Sequence, residues 1–174
     1  MEDKKGLKKN SLFGTDVLQY QEDVKEFSNK IKVGKRSSSS NLMIIARIES
    51  LIMNKPLSDA LKRAKSYIDS GADGIMIHSK DKNPKKIFEF ANNFRKFDSK
   101  TPLIVVPSSF NIVKEKQLIN YGFNIVIYAN HMLRASYPAM KKTAENILKY
   151  GRSYETDKSL LSIKEILELI PGTK

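Results

Sequence analysis

The sequence predicts an α/β protein built on a parallel sheet, and three observations carry that prediction. Four short runs, Leu42 to Ile48, Gly74 to His78, Leu103 to Val106 and Ile125 to Tyr128, are almost continuously apolar, the pattern of strands buried on both faces. Segments with helical periodicity separate them, so strand and helix alternate four times, as in repeated right-handed β/α crossovers. The polar residues of these runs collect at their carboxyl ends, as Arg47 and Glu49, His78 to Lys80, and Asn130 with His131. That is the end at which parallel sheets build their sites.

Taken in order, Asp16 to Lys32 reads as a helix through Val17, Leu18, Val24, Phe27 and Ile31, and Gly34 to Ser40 as a flexible connector. After the first strand, Pro56 with Ser58 and Asp59 opens a helix carrying Ala60, Leu61, Ala64, Tyr67 and Ile68, closed by Gly71. Asn83-Pro84 opens a second, with Ile87, Phe88, Phe90, Ala91 and Phe94 on its inner face. Asn111 to Tyr121 makes a third, ended by Gly122, and Leu133 to Tyr150 a fourth, ended by Gly151. A short amphipathic helix around Ser162 to Leu169 follows. The 174 residues, 40% of them hydrophobic, suffice for one domain, residues 1–174. Pattern alone fits an open doubly wound sheet as well as part of a barrel, because a complete barrel takes about 250 residues.

Composition removes several classes of chemistry. There is no cysteine, which excludes disulfides, thiolate-zinc sites and cysteine nucleophiles. No apolar run approaches the roughly 20 residues of a membrane span, and the charged start MEDKKGLKK does not read as a signal peptide, so the expected location is cytoplasmic. The net charge of +12 raises the question of a polyanionic partner. Lysines are scattered and interleaved with acids, without a basic tail or an aromatic-basic repeat, which argues for solvated helix faces and against nucleic acid. Walker, dinucleotide and His-Cys metal spacings are absent, and Ser108-Ser109 after Pro107 lacks the glycines of a nucleophile elbow.

Two side chains stand out. Arg47, on the end of a buried strand, must find an anion, since its charge cannot be removed. Spacing leaves open an ion pair with Glu49 or Glu2 and a bound phosphate. His78 ends an apolar strand, where it serves either as a satisfied core histidine or as a donor to a ligand oxygen; His131 reads as a capping or packing residue. At the N-terminus, Glu2 and Asp3 precede a glycine- and lysine-containing loop, Lys4 to Ser11. Carboxylates there can hold magnesium or its waters, and lysines with an amide can cover a phosphoryl group.

In one register these residues resemble the phosphoenolpyruvate mutase family of the isocitrate lyase superfamily. The motifs are Glu2-Asp3-Lys4 followed by Asn10-Ser11-Leu12; Ile45-Ala46-Arg47-Ile48-Glu49; Asp59-Ala60-Leu61-Lys62-Arg63-Ala64; Gly71 through Lys80; Ile104-Val105-Val106-Pro107; and Tyr128 through Ala135. The resemblance runs from Glu2 to about Glu168. It implies a partial (β/α)8 TIM barrel containing the four C-terminal β/α units, with strands 1–3 missing. Residues 1–13 would form the end of strand 4 and a gating loop, 41–150 the last four units, and 151–174 a C-terminal extension.

By the same resemblance the activity is the Mg2+-dependent interconversion of phosphoenolpyruvate and phosphonopyruvate, the isomerase step of phosphonate biosynthesis. Lys8, Asn10, Arg47 and His78 would be catalytic, Ser11 and Leu12 substrate-binding, and Glu2 a ligand to Mg2+ through water. Lys8 and Asn10 would close over the phosphoryl group, while Arg47 and His78 would contact phosphoryl and carboxylate oxygens. Superfamily lyases carry a cysteine in this loop, so lyase chemistry is not expected, and Asn10 leans towards mutase over the similar phosphonopyruvate hydrolases, which tend to carry threonine. Gly6-Leu7 stands where the family usually has Phe-Pro, a more flexible hinge.

The aspartates that bind Mg2+ directly fall on the missing strands, so the chain alone is expected to be inactive. Its expected partners are a small-molecule substrate and either further copies or an N-terminal half-barrel, because family members are similar to dimers of dimers in which the eighth helix packs on a neighbour. A non-catalytic, truncated half-barrel is the competing reading.

Overall fold

The computed structural model describes residues 1–6, 19–38, 41–170 and 172. They form two compact units, Met1–Ala129 and Asn130–Lys174. In the first unit two short strands, β1 (Lys4–Lys5) and β2 (Tyr20–Gln21), pair antiparallel. They are followed by α1 (Val24–Ser37), β3 (Ile45–Ile48), α2 (Leu57–Asp69), β4 (Gly74–Ile77), α3 (Lys85–Phe97), β5 (Leu103–Val105), α4 (Glu115–Asn120) and β6 (Ile125–Val126). Strands β3 to β6 form a parallel sheet in sequence order, so the α/β class and the parallel sheet expected from the alternation are present.

Helix α1 begins later than periodicity suggests. Asp23 caps it by accepting from the backbone N–H groups of Lys25 and Glu26, and a capping carboxylate fixes a helix start more sharply than a repeating apolar pattern does. At its other end the helix runs through Gly34 to Ser37, residues assigned above to a connector. Two further sequence-predicted helices keep their centres and shift their ends. The third shortens to Glu115–Asn120, and α2 is entered from Pro56 without a side-chain cap.

One face of the sheet makes the core. Ala46, Ile48, Ile75, Ile77, Leu103 and Val105 alternate onto that face and cluster with Phe27 and Ile31 of α1, Ala60, Ala64 and Tyr67 of α2, and Ile87, Phe90 and Phe94 of α3. Those helical positions recur at three- and four-residue spacing, so each helix turns a single apolar stripe inward. Aromatic contacts tie the layers: Phe27 lies 4.8 Å from Tyr67, and Phe88 stacks on Tyr121 at 4.1 Å.

Gly74 opens β4 where neighbours crowd in. A Cβ there would stand 2.7 Å from Ile45 Cδ1, 3.0 Å from Ile104 Cδ1 and 3.2 Å from the Pro102 carbonyl oxygen. We predict that Gly74→Ala destabilises the protein by roughly 1–3 kcal/mol, read as a lower midpoint in urea unfolding.

The second unit contains α5 (His131–Tyr150), a 3-10 turn over Tyr154–Ser159 and α6 (Ile163–Glu168). Gly151, at φ 64°, ends α5 and donates its N–H to the Ile147 carbonyl, as a left-handed C-terminal residue should. Ser162 and Glu165 form a reciprocal capping box at the start of α6. Helix α5 buries none of its residues, and Met132, Leu133, Tyr137, Met140 and Leu148 are exposed. No helix is long and apolar enough to cross a membrane among the described residues.

Candidate active site

The site is assembled where the N-terminal segment meets the carboxyl ends of β3 and β4. Met1 to Asp3 runs parallel to β3. The Met1 ammonium donates to the Ile45 carbonyl, Arg47 N–H to Met1 O at 2.8 Å, and Asp3 N–H to Arg47 O at 3.1 Å. Glu2 is thereby bridged to Arg47 in register. Arg47 is in turn paired with Met76 across β3 and β4, and His78 lies two residues beyond Met76. Alternation therefore directs Arg47 and His78 to the same face of the sheet, opposite the helices.

Arg47 has two carboxylates around it. Its Nε donates to Glu49 Oε1 at 2.7 Å, and its Nη2 lies 3.7 Å from Glu2 Oε1. Glu49 is fully buried, whereas the Arg47 side chain keeps 27% of its exposure. The ion-pair reading is thus realised, with Glu49 orienting the guanidinium from below. His78 is 5% exposed, and its Nδ1 has no hydrogen-bond partner among the described residues. Burial, with the Arg47 and Lys4 charges adding and Glu2 opposing, pushes the imidazole down to about 4. At neutral pH it is a neutral ring with one nitrogen unsatisfied, suited to hydrogen bonding a ligand and unsuited to acting as a fixed cation.

The other acid of the N-terminal pair does something different. Asp3 is fully buried and accepts from Glu49 N–H at 2.9 Å, Gln21 Nε2 at 2.9 Å, Tyr67 OH at 2.8 Å and Arg63 Nη1 at 3.2 Å. Arg63 also reaches the Glu22 carbonyl and Asp59, and Ser50 donates to Asp59 at 2.7 Å. Burial outweighs these donors and lifts Asp3 to about 6. The network bolts the segment bearing Glu2 to the strand end bearing Arg47 and Glu49. It holds the site in shape and engages both Asp3 oxygens with internal donors. Spacing gave one clue: Asp59, Arg63 and Tyr67 stand four residues apart on one helical face.

Of the sequence-predicted residues, Glu2, Arg47 and His78 come together. Lys8, Asn10, Ser11 and Leu12 lie outside the described residues. His131 opens α5 in the second unit. Among the described residues no group of three or more Asp, Glu or His side chains is placed to hold a metal ion.

The family model for phosphoenolpyruvate phosphomutase matches residues 1–148. The chain belongs to this family. It is 34% identical over 170 residues to the phosphoenolpyruvate phosphomutase of Tetrahymena pyriformis, covering 97% of this chain and 55% of that protein. Among solved structures, phosphoenolpyruvate phosphomutase from Streptomyces platensis subsp. rosaceus superposes with a TM-score of 0.86 at 33% identity, covering 97% of this chain and 57% of that one. Phosphonopyruvate hydrolase in complex with oxalate and Mg2+ superposes with a TM-score of 0.80 at 32% identity, covering 97% and 56%. The chain therefore spans about half the length of the family members it matches, and both family chemistries lie at similar distance from it.

Proposed function

We propose that the chain carries the oxyanion-facing part of a phosphoenolpyruvate mutase site on a partial (β/α)8 barrel, the four C-terminal β/α units, and that it is inactive as this chain alone. The observation that carries this reading is the convergence of Arg47, buttressed by buried Glu49, with the unsatisfied ring of His78 on one sheet face. Phosphoenolpyruvate and phosphonopyruvate each present a phosphoryl group and a carboxylate. A guanidinium and a neutral imidazole donor are suited to bind such oxygens and to stabilise charge as it moves between them. Lys8 and Asn10 are proposed to close over the phosphoryl group, with Ser11 and Leu12 as substrate-binding residues.

The family relative bound to Mg2+ and oxalate supports Mg2+ as the cofactor, which would screen charge on the reacting oxygens. Glu2 would hold one of its waters. The described residues do not fit a complete metal site, so what this half contributes is binding, orientation and the exclusion of water. The exposed apolar residues of α5 support assembly with further copies.

Asn10 favours mutase over hydrolase. The non-catalytic reading is favoured by the lack of a metal-holding cluster among the described residues. A 31P NMR assay with phosphonopyruvate and Mg2+ separates them. The isolated chain is expected to show no turnover, and turnover should appear when a segment supplying Mg2+-binding aspartates is added, with phosphoenolpyruvate as the product. Robust turnover by the isolated chain, abolished in Arg47→Ala, would show that these residues build a working site unaided; release of inorganic phosphate and pyruvate would identify a hydrolase.

A further inference from the structure

The turn after β4 and the loop after β5 enclose a cleft of about 600 Å3, a size suited to a small ligand. Lys80, Lys82, Ser108, Ser109 and Asn111 supply its polar lining, and Ile112 forms an exposed lip. Its floor is Phe110, 1% exposed in the core and held by the bond from Val113 N–H to the Phe110 carbonyl. The pocket is therefore set on a fixed base at the carboxyl ends of two adjacent strands.

The chemistry of the lining is one-sided. No carboxylate lines the cleft among the described residues. The acid nearest in sequence, Asp81, pairs with Lys86 at 3.4 Å, while its backbone N–H is bound by Ser79 Oγ at 3.1 Å. Lys80 and Lys82 on either side of it form no ion pair among the described residues, and the side chains of Ser108, Ser109 and Asn111 form no hydrogen bond there. Two ammonium groups, two hydroxyls and an amide face one space with their donors unspent. An apolar ligand would strand these groups, and a cation would meet two like charges. A tetrahedral oxyanion offers three strongly accepting oxygens and negative charge to match them.

We propose that this cleft is a second anion site, binding a phosphate group either free or as a small phosphate monoester, and independent of Arg47 and His78. Its test is a 15N-resolved NMR titration of the full chain with inorganic phosphate and, separately, with glycerol 3-phosphate, against chloride at matched ionic strength. Saturable shifts of the Lys82, Ser109 and Asn111 amides are expected, with the midpoint raised at least about tenfold in Lys80→Met/Lys82→Met and unchanged in Arg47→Ala. Tighter binding of glycerol 3-phosphate would identify the monoester as the ligand, and equal midpoints the phosphate group alone. Shifts reproduced by chloride, or a midpoint unaltered in the lysine variant, would overturn the proposal. Lys82→Met alone, at an exposed position, carries the same test should the double variant fail to fold. Phosphate binding that survives Arg47→Ala while phosphoenolpyruvate binding does not keeps this site distinct from the proposed mutase site.

Discussion

Asp3→Ala should unfold the chain more readily than any other single change at the site, with a loss of about 3–5 kcal/mol in urea-unfolding free energy. The reason is the number of groups it leaves behind. Glu49 N–H, Tyr67 OH, Gln21 Nε2 and Arg63 Nη1 all converge on this one carboxylate in a region closed to water. Glu49 N–H and Tyr67 OH lose the acceptor they have here, each at about 1–3 kcal/mol, while Gln21 Nε2 keeps Ser50 Oγ and Arg63 Nη1 keeps the Glu22 carbonyl, and the Arg63 charge loses one of its two carboxylate partners. Asp3→Asn should rescue little, because the amide nitrogen brings a donor into a cluster of donors. A loss below about 1 kcal/mol would mean that the N-terminal segment is not docked through this network.

The second large effect is in the pH dependence of stability, where two buried groups of the site oppose each other. Asp3 titrates in the fold near 6, above its ordinary 3.8, so the native state holds its proton more tightly than the unfolded chain. That contribution is complete below about pH 4 and is lost as pH rises through about 6. His78 titrates near 4, below its ordinary 6.5, so its contribution is complete above about pH 6.5 and is lost as pH falls through about 4. Each is worth on the order of 3 kcal/mol across its window. Between about pH 4 and 6 the two slopes nearly cancel in the native protein. The stability advantage of the native protein over His78→Asn should therefore grow as pH rises through this range, and its advantage over Asp3→Ala should shrink. Parallel curves for the native protein and both variants would contradict these assignments.

The sequence made the sheet legible because apolar runs of strand length, separated by 3.6-residue periodicity, have few other solutions. It also made Arg47 and His78 legible, since strand ends in a parallel sheet are where polar residues meet. The pairing of Lys4–Lys5 with Tyr20–Gln21 was not, because two-residue strands carry no periodic signal and are fixed by tertiary contact. The role of Asp3 was hidden for a related reason. As a charged residue near the N-terminus it read as a potential metal ligand beside Glu2, and only the packing of α2, some 60 positions away, supplies the arginine and tyrosine that consume it. Arg47 shows the limit from the other side. Spacing offered a structural ion pair or a ligand contact; the fold realises the first through Nε, and the second is a proposal.

Whether Arg47 and His78 form one oxyanion site, as proposed, is tested most directly by titrating the chain with phosphoenolpyruvate while following the Arg47 Nε–H and His78 ring resonances. Both are expected to shift with the same midpoint, and Arg47→Ala to weaken binding at least about tenfold while His78 remains buried. Saturable binding that leaves both resonances in place, or that is unaffected by Arg47→Ala, would contradict the proposal.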